Sequence, residues 1–373
     1  MTPLARKIAE LIRIEGAIGL DRYWNLALFD REHGYYAARE PFGRTGDFIT
    51  APEISQMFGE LIGAWIAAAW REHRSPASFL LAEIGPGRGT LMADMLRTLR
   101  SVAPDCLKAA KVRLVETSDR LAAEQMAALD RFDLPIRRVR RIADLEREPL
   151  LLVANELFDA LAIRQFVFDG ETWRERCISV ADSGRFEFVL CSARPELPSK
   201  IAATLPHPPM AGAVLELSPA RETLAATIAQ HLAEEGGAGL FIDYGHAATG
   251  FGDTLQAIHG HAFADPLDRP GEVDLTSHVD FERVAAPFRH AGLAVSPTVP
   301  QGDVLLALGL LERAGALGNK MSEAGREEIG AAVARLAGTG EKEMGILFKV
   351  LSASSRPLSL PPFGVADAGL TSP

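Results

Sequence analysis

The chain of 373 residues has few cysteines and no excess of basic charge. Its three cysteines, Cys106, Cys177 and Cys191, form no C-x-x-C pair, so neither a disulfide framework nor a thiolate zinc site is predicted. Thirty-nine basic against forty-nine acidic residues leave a net charge of -10, which would repel a phosphate backbone and disfavours a nucleic-acid partner. The dense basic run "RRVRR" at 137–141 is better explained as a solvated strand face than as a docking patch.

Long apolar runs are missing as well. The segment "LIGAWIAAAW" is closed by Glu60 and Arg71, and no run reaches the ~18 residues that a membrane-spanning helix needs. Residues 1–20 place apolar side chains on one helical face between charged ones, which predicts an amphipathic helix and not a signal peptide. With neither signal in the sequence, the expected location is cytoplasmic.

Hydrophobic periodicity divides the chain into three regions. Residues 1–75 show helical spacing, residues 76–355 alternate strands with helices, and the Pro/Gly/Ser-rich tail at 356–373 is expected to be flexible. In the middle region, "SFLLAEI", "KVRLVE", "IRRVR" and "LLLVAN" predict strands, with helices at Thr90–Arg100 and Asp119–Leu129. Apolar strands separated by helices predict an α/β, doubly wound core with a parallel sheet.

Two insertions interrupt this core. Between about 162 and 212, "IRQFVF", "TWRERCISV" and "RFEFVL" alternate in polarity and predict antiparallel strands, which "AVLELS" can extend. Residues 244–285 contain a long loop rich in Gly, Asp, His and Pro, of the kind that is usually functional or mobile. The buried strand "GGAGLFIDYG", a helical stretch at 302–337 and a last strand in "MGILFKVLSAS" complete the predicted core.

The most informative segment is "LLAEIGPGRGTLMADML", in which a strand leads into Gly85, Gly87 and Gly89 and then into a helix. Glycines at such a turn let a ligand approach the backbone, and the helix N-terminus offers unpaired N–H groups to an anionic end. Because position 90 is Thr, the spacing is G-x-G-x-G and not the dinucleotide G-x-G-x-x-G. No Gly-Lys-Ser/Thr follows, so a P-loop is excluded.

An acidic residue follows the next strand, in "LVETSD". Glu116 would lie at the carboxyl edge of the sheet, where a carboxylate can accept both hydroxyls of a ribose. Together with the glycine turn it indicates an adenosine-like ligand. The alternative is a tight strand-to-helix turn with an incidental exposed glutamate.

Several segments resemble one known family. They occur in order from about residue 15 to 285 and read "GYYAARE", "GDFITAPEISQMFGE", "EIGPGRGTLMADML", "VETS", "NELFDALAI", "LFIDYGH", "GDTLQ" and "GEVDLTSHVDF". They resemble the MidA-like class I S-adenosylmethionine-dependent methyltransferases, which include a mitochondrial assembly factor for respiratory complex I. The resemblance implies a Rossmann-like methyltransferase core with S-adenosyl-L-methionine as cofactor. It also implies arginine N-methylation, giving symmetric dimethylarginine on a complex I subunit.

The resemblance also assigns cofactor contacts. Gly85, Pro86, Gly87 and Gly89 would face the methionine end, and Glu116 the ribose. Asp144 and Leu145 match the usual adenine-contacting position, although "RIADLE" is a loose match.

The segment "NELFDALAI" sets polar side chains directly after a buried strand. In a doubly wound sheet the strand ends face the ligand, so Asn155, Glu156 and Asp159 would lie beside the methyl donor. Carboxylate and amide oxygens can hold a planar guanidinium by forked hydrogen bonds, which suits an arginine acceptor. The alternative is a helix N-terminus, with Asn155 as the cap and the two acids in its first turn. "DYG" lies on the same sheet edge and is a candidate border of the acceptor site.

The loop "GRTGDFITAPEIS" is a candidate lid. Asp47, Phe48 and Thr50 offer a carboxylate, a ring and a hydroxyl that could close over the cofactor. A loop that packs between domains is the alternative. His246, His259 and His261 lack a further ligand at motif spacing, so no metal is expected.

The sequence therefore favours a protein arginine methyltransferase. A small-molecule methyltransferase and a catalytically silent assembly chaperone with the same fold stay open as alternatives. A nucleic-acid methyltransferase is disfavoured by charge, and a nucleotide-binding oxidoreductase by the glycine spacing. The oligomeric state is not indicated.

Overall fold

Apolar runs of about six residues form the central strands, as the periodicity predicted. The computed structural model describes residues 2–38, 50–192, 196–260 and 262–363. Within them the chain forms two compact units by Cα packing. The first contains 2–38, Phe158–Thr223 and Ala248–Val279, and the second contains 50–157, Leu224–Ala247 and 280–363.

The helices carry the labels α1 to α15. Within the described residues they are, in chain order, α1 Pro3–Glu15, α2 Leu20–Phe29, α3 Tyr35–Ala38, α4 Ala51–Ile54, α5 Gln56–Glu72, α6 Thr90–Val102, α7 Pro104–Ala109, α8 Asp119–Leu129, α9 Glu196–Ala202, α10 Pro219–Glu235, α11 Phe281–His290, α12 Gln301–Ala307, α13 Leu310–Gly318, α14 Glu323–Ala337 and α15 Met344–Leu347. Two short 3₁₀ turns occur at Asp130–Phe132 and Ile142–Asp144. The helix predicted at Asp119–Leu129 is confirmed at both ends.

The strands carry the labels β1 to β17. In the same described ranges they are β1 Ile18–Gly19, β2 Phe79–Ile84, β3 Ala110–Val115, β4 Arg137–Val139, β5 Leu150–Asn155, β6 Arg164–Phe168, β7 Trp173–Val180, β8 Phe186–Ser192, β9 Val214–Leu217, β10 Gly237–His246, β11 Gln256–His259, β12 Ala262–Ala264, β13 Asp274–Thr276, β14 Val279–Asp280, β15 Ala294–Val295, β16 Val299–Pro300 and β17 Phe348–Ser354.

The second unit is built on a sheet whose strand order includes β17-β10-β5-β2-β3-β4. The five strands from β10 to β4 are mutually parallel, and β17 runs antiparallel to β10. Chain order moves outward in both directions from β2, so the order reverses between β2 and β5. In a doubly wound fold this switch point is where ligands bind, beyond the carboxyl ends of the strands. The α/β, Rossmann-like class is confirmed.

The core of this unit follows from the apolar strand composition. Every residue of β2 is buried, and Leu81 lies between Val112 of β3 and Leu151 of β5. Trp65 of α5 and Leu96 of α6 belong to the same buried cluster. Each such side chain, when fully buried, contributes roughly 1.5–3 kcal/mol to stability.

The first unit contains the predicted antiparallel strands. Its sheet has the order β1-β7-β6-β9 with β8 paired to β7, so "AVLELS" does extend the inserted sheet as β9. Trp24 and Tyr23 of α2 are completely buried in a cluster that includes Ile178 of β7. Helices α1 and α2 therefore belong to the same compact unit as the insertion, whereas α5 belongs to the second unit.

The region predicted as a loop at 244–277, within the insertion at 244–285, contains regular structure in the described residues. Strands β11, β12 and β13 form a three-stranded antiparallel sheet, and β10 continues to His246. Ala257 and Leu275 of this sheet are buried in the cluster of the first unit. The loop expectation was wrong because the high Gly, Pro and Asp content hid short strands that are stabilised by tertiary contacts.

The remaining expectations concern the C-terminal part and the membrane. The helical stretch at 302–337 is confirmed but broken into α12, α13 and α14, with Gly309 at a left-handed φ of 95° between the first two. Residues 364–373 of the tail lie outside the described residues. Among the helices described, none is both long and apolar enough to span a bilayer.

Candidate active site

The glycine turn after β2 adopts the backbone angles that its sequence suggested. Gly85, Gly87 and Gly89 have φ values of 65°, 53° and 82°, in the left-handed region that favours glycine. The Gly85 N–H donates to the Val115 carbonyl at 3.0 Å, and a Cβ at position 85 would lie 3.2 Å from Leu157 Cδ1. Positions 85, 87 and 89 of this turn carry no side chain, so the backbone at these glycines is open to close approach by a ligand.

Glu116 follows β3 at the same sheet edge and is 7% exposed. Its Oε1 accepts the Ser118 N–H at 2.7 Å, and its Oε2 accepts Gln125 Nε2 at 3.1 Å. Gln125 Nε2 also donates to the Gly87 carbonyl at 2.8 Å. The two cofactor elements predicted from sequence are thus joined by Gln125, a residue that the sequence did not single out.

The basic run at 137–141 is largely solvent-exposed, as expected, with Arg137, Arg140 and Arg141 all exposed, and two of its arginines also contact the turn after β3. Arg138 donates through Nε to the Glu116 carbonyl at 2.7 Å and through Nη2 to the Thr117 carbonyl at 2.8 Å. Arg140 donates to the same Thr117 carbonyl at 3.1 Å, and both arginines pair with Asp119. The two arginines therefore hold the turn that carries Glu116.

Asp144 and Leu145 lie after β4. Asp144 ends the 3₁₀ turn, and its carboxylate accepts Arg141 Nη2 at 2.7 Å, which lowers the pKa of Asp144. Leu145 is largely buried. Their contact with adenine stays a prediction.

The polar cluster after β5 is not a helix N-terminus. Residues 156–161 form turns and bends, so the capping alternative was wrong. Glu156 has a φ of 49°, which is uncommon for a residue other than glycine and is often found at functional sites. Its Oε1 accepts Asn155 Nδ2 at 3.0 Å and the Ala51 N–H at 3.2 Å.

Neighbouring groups hold this backbone in place. The Glu156 N–H donates to the Ile242 carbonyl at 2.9 Å, and the Leu157 N–H donates to Oδ2 of the buried Asp243 at 3.1 Å. Asn155 Oδ1 is buried and has no hydrogen-bond partner among the described residues. Asp243 belongs to the "DYG" segment, and its structural task is to orient the turn after β5.

Asp159 belongs to the first unit and is 8% exposed. Its carbonyl accepts Arg221 Nη2 at 3.2 Å, and the Phe158 carbonyl accepts Arg221 Nε at 2.7 Å. Arg221 Nη2 also donates to Ser277 Oγ at 2.7 Å. Arg221 is a second residue that sequence reasoning missed, because an arginine near a helix N-terminus carries no local sign of burial.

Glu83, on β2 just before the glycine turn, is a third missed residue. It is fully enclosed, and burial raises its pKa to about 8, opposed by a hydrogen bond from the Met92 backbone. Its Oε2 has no partner among the described residues. A carboxyl group that is largely protonated near neutral pH therefore lies under the turn.

The lid and histidine candidates are described in part. Asp47 and Phe48 lie outside the described residues, as does His261. Thr50 precedes α4, whose first residue, Ala51, contacts Glu156. His259 Nδ1 lies 3.1 Å from the Glu272 carbonyl. In the described ranges no three His, Cys, Asp or Glu side chains form a metal-binding group.

Three features of the second unit fit an S-adenosylmethionine molecule. The glycine turn has no side chain at positions 85, 87 and 89, and Glu116 uses one acceptor position on each oxygen. Asn155 Oδ1 is a buried acceptor without a partner among the described residues. A carboxylate oxygen can accept two hydrogen bonds, so Glu116 keeps capacity for both ribose hydroxyls. The site therefore fits a nucleoside with a charged amino-acid end.

Comparisons with known proteins agree with this geometry. Residues 61–298 match the model of the family described as "Putative S-adenosyl-L-methionine-dependent methyltransferase". A mouse protein named "Protein arginine methyltransferase NDUFAF7, mitochondrial" is 34% identical over 308 residues, covering 75% of this chain and 68% of the relative. The Drosophila melanogaster homolog is 35% identical over 309 residues, covering 75% and 69%.

A solved structure is similar over nearly the whole chain. The crystal structure of a Burkholderia thailandensis protein bound to S-adenosyl-homocysteine aligns with a TM-score of 0.82 at 27% identity, covering 94% of this chain and 91% of that one. The fold and the site thus define an S-adenosylmethionine-dependent methyltransferase, with S-adenosyl-L-methionine as its cofactor. The chain belongs to the family whose model it matches, with the NDUFAF7 proteins among its relatives.

The cytoplasmic location predicted from sequence was wrong. The mouse, Drosophila and human relatives are all named mitochondrial, which contradicts it. That prediction depended only on the lack of a signal peptide and a membrane span, and neither identifies a compartment.

Proposed function

We infer that this methyltransferase acts on an arginine side chain of a protein and forms symmetric dimethylarginine on a respiratory complex I subunit, which aids complex I assembly. The relatives named protein arginine methyltransferases support the acceptor class. The complex I client is proposed from the resemblance of the motifs at 46–60 and 155–163 to the MidA-like family.

The observation that carries the proposal is the carboxylate of Glu156 beside the switch point. Asn155 Nδ2 and the Ala51 N–H both fix its Oε1, and the turn that carries it is held in a left-handed conformation. Strain of this kind costs of order 1–3 kcal/mol and persists only where surrounding contacts impose it. A preorganised carboxylate at this edge suits a cationic acceptor.

Bound S-adenosylmethionine supplies a methyl group on a sulfonium, so the residues of the chain have to position and orient. Glu156 would hold the guanidinium through its N–H groups and draw positive charge away from the attacking nitrogen. A new N–C bond forms as the S–C bond breaks, and the nitrogen then releases one proton. We propose Asn155 and Glu156 as the acceptor-side residues, while the acceptor role of Asp159 stays a prediction from the sequence.

The test is transfer of a labelled methyl group from S-adenosylmethionine into lysate of a strain that lacks this gene. Wild type is compared with Gly87→Val, and the labelled protein is hydrolysed to amino acids. We expect labelled dimethylarginine in one protein band when the wild-type enzyme is added, and none when Gly87→Val is added. Label in a small molecule would indicate the small-molecule alternative. No label, with cofactor binding intact, would favour an assembly chaperone that keeps the fold.

A further inference from the structure

Gln125 is the one side chain described here that contacts both the glycine turn and Glu116. It lies on α8, is 0% exposed, and its Nε2 donates to the Gly87 carbonyl at 2.8 Å and to Glu116 Oε2 at 3.1 Å. Gly89 lies directly beside this helix, since a Cβ there would be in van der Waals contact with the Gln125 Cα at 3.5 Å. The three segments therefore meet at one buried amide.

The chemistry of the two contacts fixes the orientation of this amide. A backbone carbonyl and a carboxylate oxygen both accept hydrogen bonds, so the atom between them must be the NH₂ group. Gln125 Oε1 is then directed elsewhere, and it has no hydrogen-bond partner among the described residues. A buried acceptor without a partner is a cost to folding. A residue selected for packing alone would be apolar at this position.

We propose that Gln125 is a positioning residue for the cofactor, which sets the Glu116 carboxylate relative to the glycine turn. The Ser118 N–H fixes one Glu116 oxygen, and Gln125 fixes the other. Each oxygen keeps one free acceptor position, and the donor that already occupies the other position determines its direction. Gln125 thus prearranges the carboxylate for two ribose hydroxyls without touching the cofactor itself.

The experiment is calorimetric titration of the full chain with S-adenosyl-homocysteine, which needs no acceptor. We expect Gln125→Leu to weaken the Kd by about tenfold or more, because Glu116 loses its second donor. The thermal midpoint of the ligand-free variant should fall, because the Gly87 carbonyl and Glu116 Oε2 lose the donor that Gln125 supplies. Loss of arginine methylation would leave this result unaffected, so the two proposals can fail separately.

Gln301 supplies a matched control. It is also 0% exposed, donates through Nε2 to the Leu336 carbonyl at 2.9 Å, and has an Oε1 without a partner in the described chain. Gln301→Leu should leave the Kd within about twofold of wild type. Equal weakening by both variants, or a Gln125→Leu protein with wild-type Kd, would overturn the proposal.

A second variant separates positioning from packing. Gln125→Glu keeps the shape but sets a carboxylate against Glu116. The Kd should weaken by about tenfold or more, because an acceptor replaces the NH₂ donor and two carboxylates then face each other. A Gln125→Glu protein with the wild-type Kd would contradict the positioning role, even if Gln125→Leu fails to fold.

Discussion

The guanidinium of Arg221 donates through Nε to the carbonyl oxygen of Phe158 at 2.7 Å. The same buried side chain donates through Nη1 to the His278 carbonyl at 2.7 Å. One arginine therefore ties the segment that carries Asp159 to the segment after β13. Backbone carbonyls in a buried loop need donors, and the guanidinium supplies one to each of these carbonyls, in addition to the Leu161 N–H that donates to the Phe158 carbonyl at 3.0 Å.

Replacing Arg221 with lysine should destabilise the protein. An ammonium group cannot reach the separate carbonyls that the forked guanidinium contacts, so buried acceptors lose their donors. We expect the free energy of unfolding to fall by about 2–4 kcal/mol in urea titrations. Arg147→Lys is the control, because that side chain is 81% exposed. A change within about 0.5 kcal/mol is expected there. Equal effects would show that Arg221 has no special structural role.

Gly87→Val should abolish cofactor binding. A β-branched residue at a φ of 53° is strained, and its side chain would occupy the turn that a ligand approaches. The Kd for S-adenosyl-homocysteine should weaken by about 100-fold or more in calorimetry. Gly184→Val is matched, since Gly184 has a φ of 78° and a Cβ there meets nothing within 4 Å. That variant should lose similar stability and bind the cofactor normally.

Glu156→Gln should slow methyl transfer and spare cofactor binding. The amide keeps an oxygen for Asn155 Nδ2 and the Ala51 N–H, while the negative charge that would hold a cationic acceptor disappears. We expect the single-turnover transfer rate to fall by about 100-fold, with the S-adenosyl-homocysteine Kd within about twofold.

Glu148→Gln is the control for that variant, since Glu148 precedes the opposite end of the same strand. It accepts Lys111 Nζ at 2.5 Å and Ser78 Oγ at 2.6 Å. Removing the negative charge of Glu148 should lower the stability slightly and leave the methyl-transfer rate unchanged. A wild-type rate in Glu156→Gln would remove Glu156 from the acceptor site.

Glu83 should make stability decrease as pH rises. Burial raises its folded pKa to about 8 from an ordinary 4.5, so the folded state binds the proton more tightly than the unfolded state. The contribution of this proton uptake to the free energy of unfolding is fully present below pH 4.5 and is lost as pH rises toward about 8. As pH rises from 4.5 to about 8, the free energy of unfolding of ligand-free Glu83→Gln should therefore increase relative to that of wild type. The relative increase should be on the order of 4 kcal/mol at most. Urea titrations at several pH values measure the difference.

Glu146 should give the opposite pH dependence of stability. A hydrogen bond from Arg113 lowers its pKa to about 2, so its stabilisation is present above the ordinary value of 4.5 and is lost as pH falls toward about 2. Glu146→Gln should be less stable than wild type at neutral pH, and the difference should vanish in acid. Parallel pH profiles for Glu83→Gln and Glu146→Gln would contradict both assignments.

Local patterns in the sequence were enough to locate most of the core elements. The strands at 79–84 and 150–155 are fully buried and apolar except for Glu83 and Asn155 near their carboxyl ends, a pattern typical of a sheet covered on both faces. The helix at 119–129 begins at Ser118, whose hydroxyl accepts the Leu121 N–H at 3.3 Å, a cap that can be recognised in the sequence. The short strands β11 to β13 were missed because each has only three or four residues and lies among Gly, Pro and Asp residues that are typical of loops.

The sequence by itself determined the parallel core, the glycine turn and the acid after β3, because each depends on residues that are close together in the chain. Tertiary structure alone decided that Gln125 joins the turn to Glu116, since these groups lie 38 and 9 residues apart in sequence. It also decided that Arg221 is buried and that Asp243 orients the turn after β5. Buried polar groups obtain their partners from distant segments when the chain folds, and hydrophobic periodicity does not specify those partners.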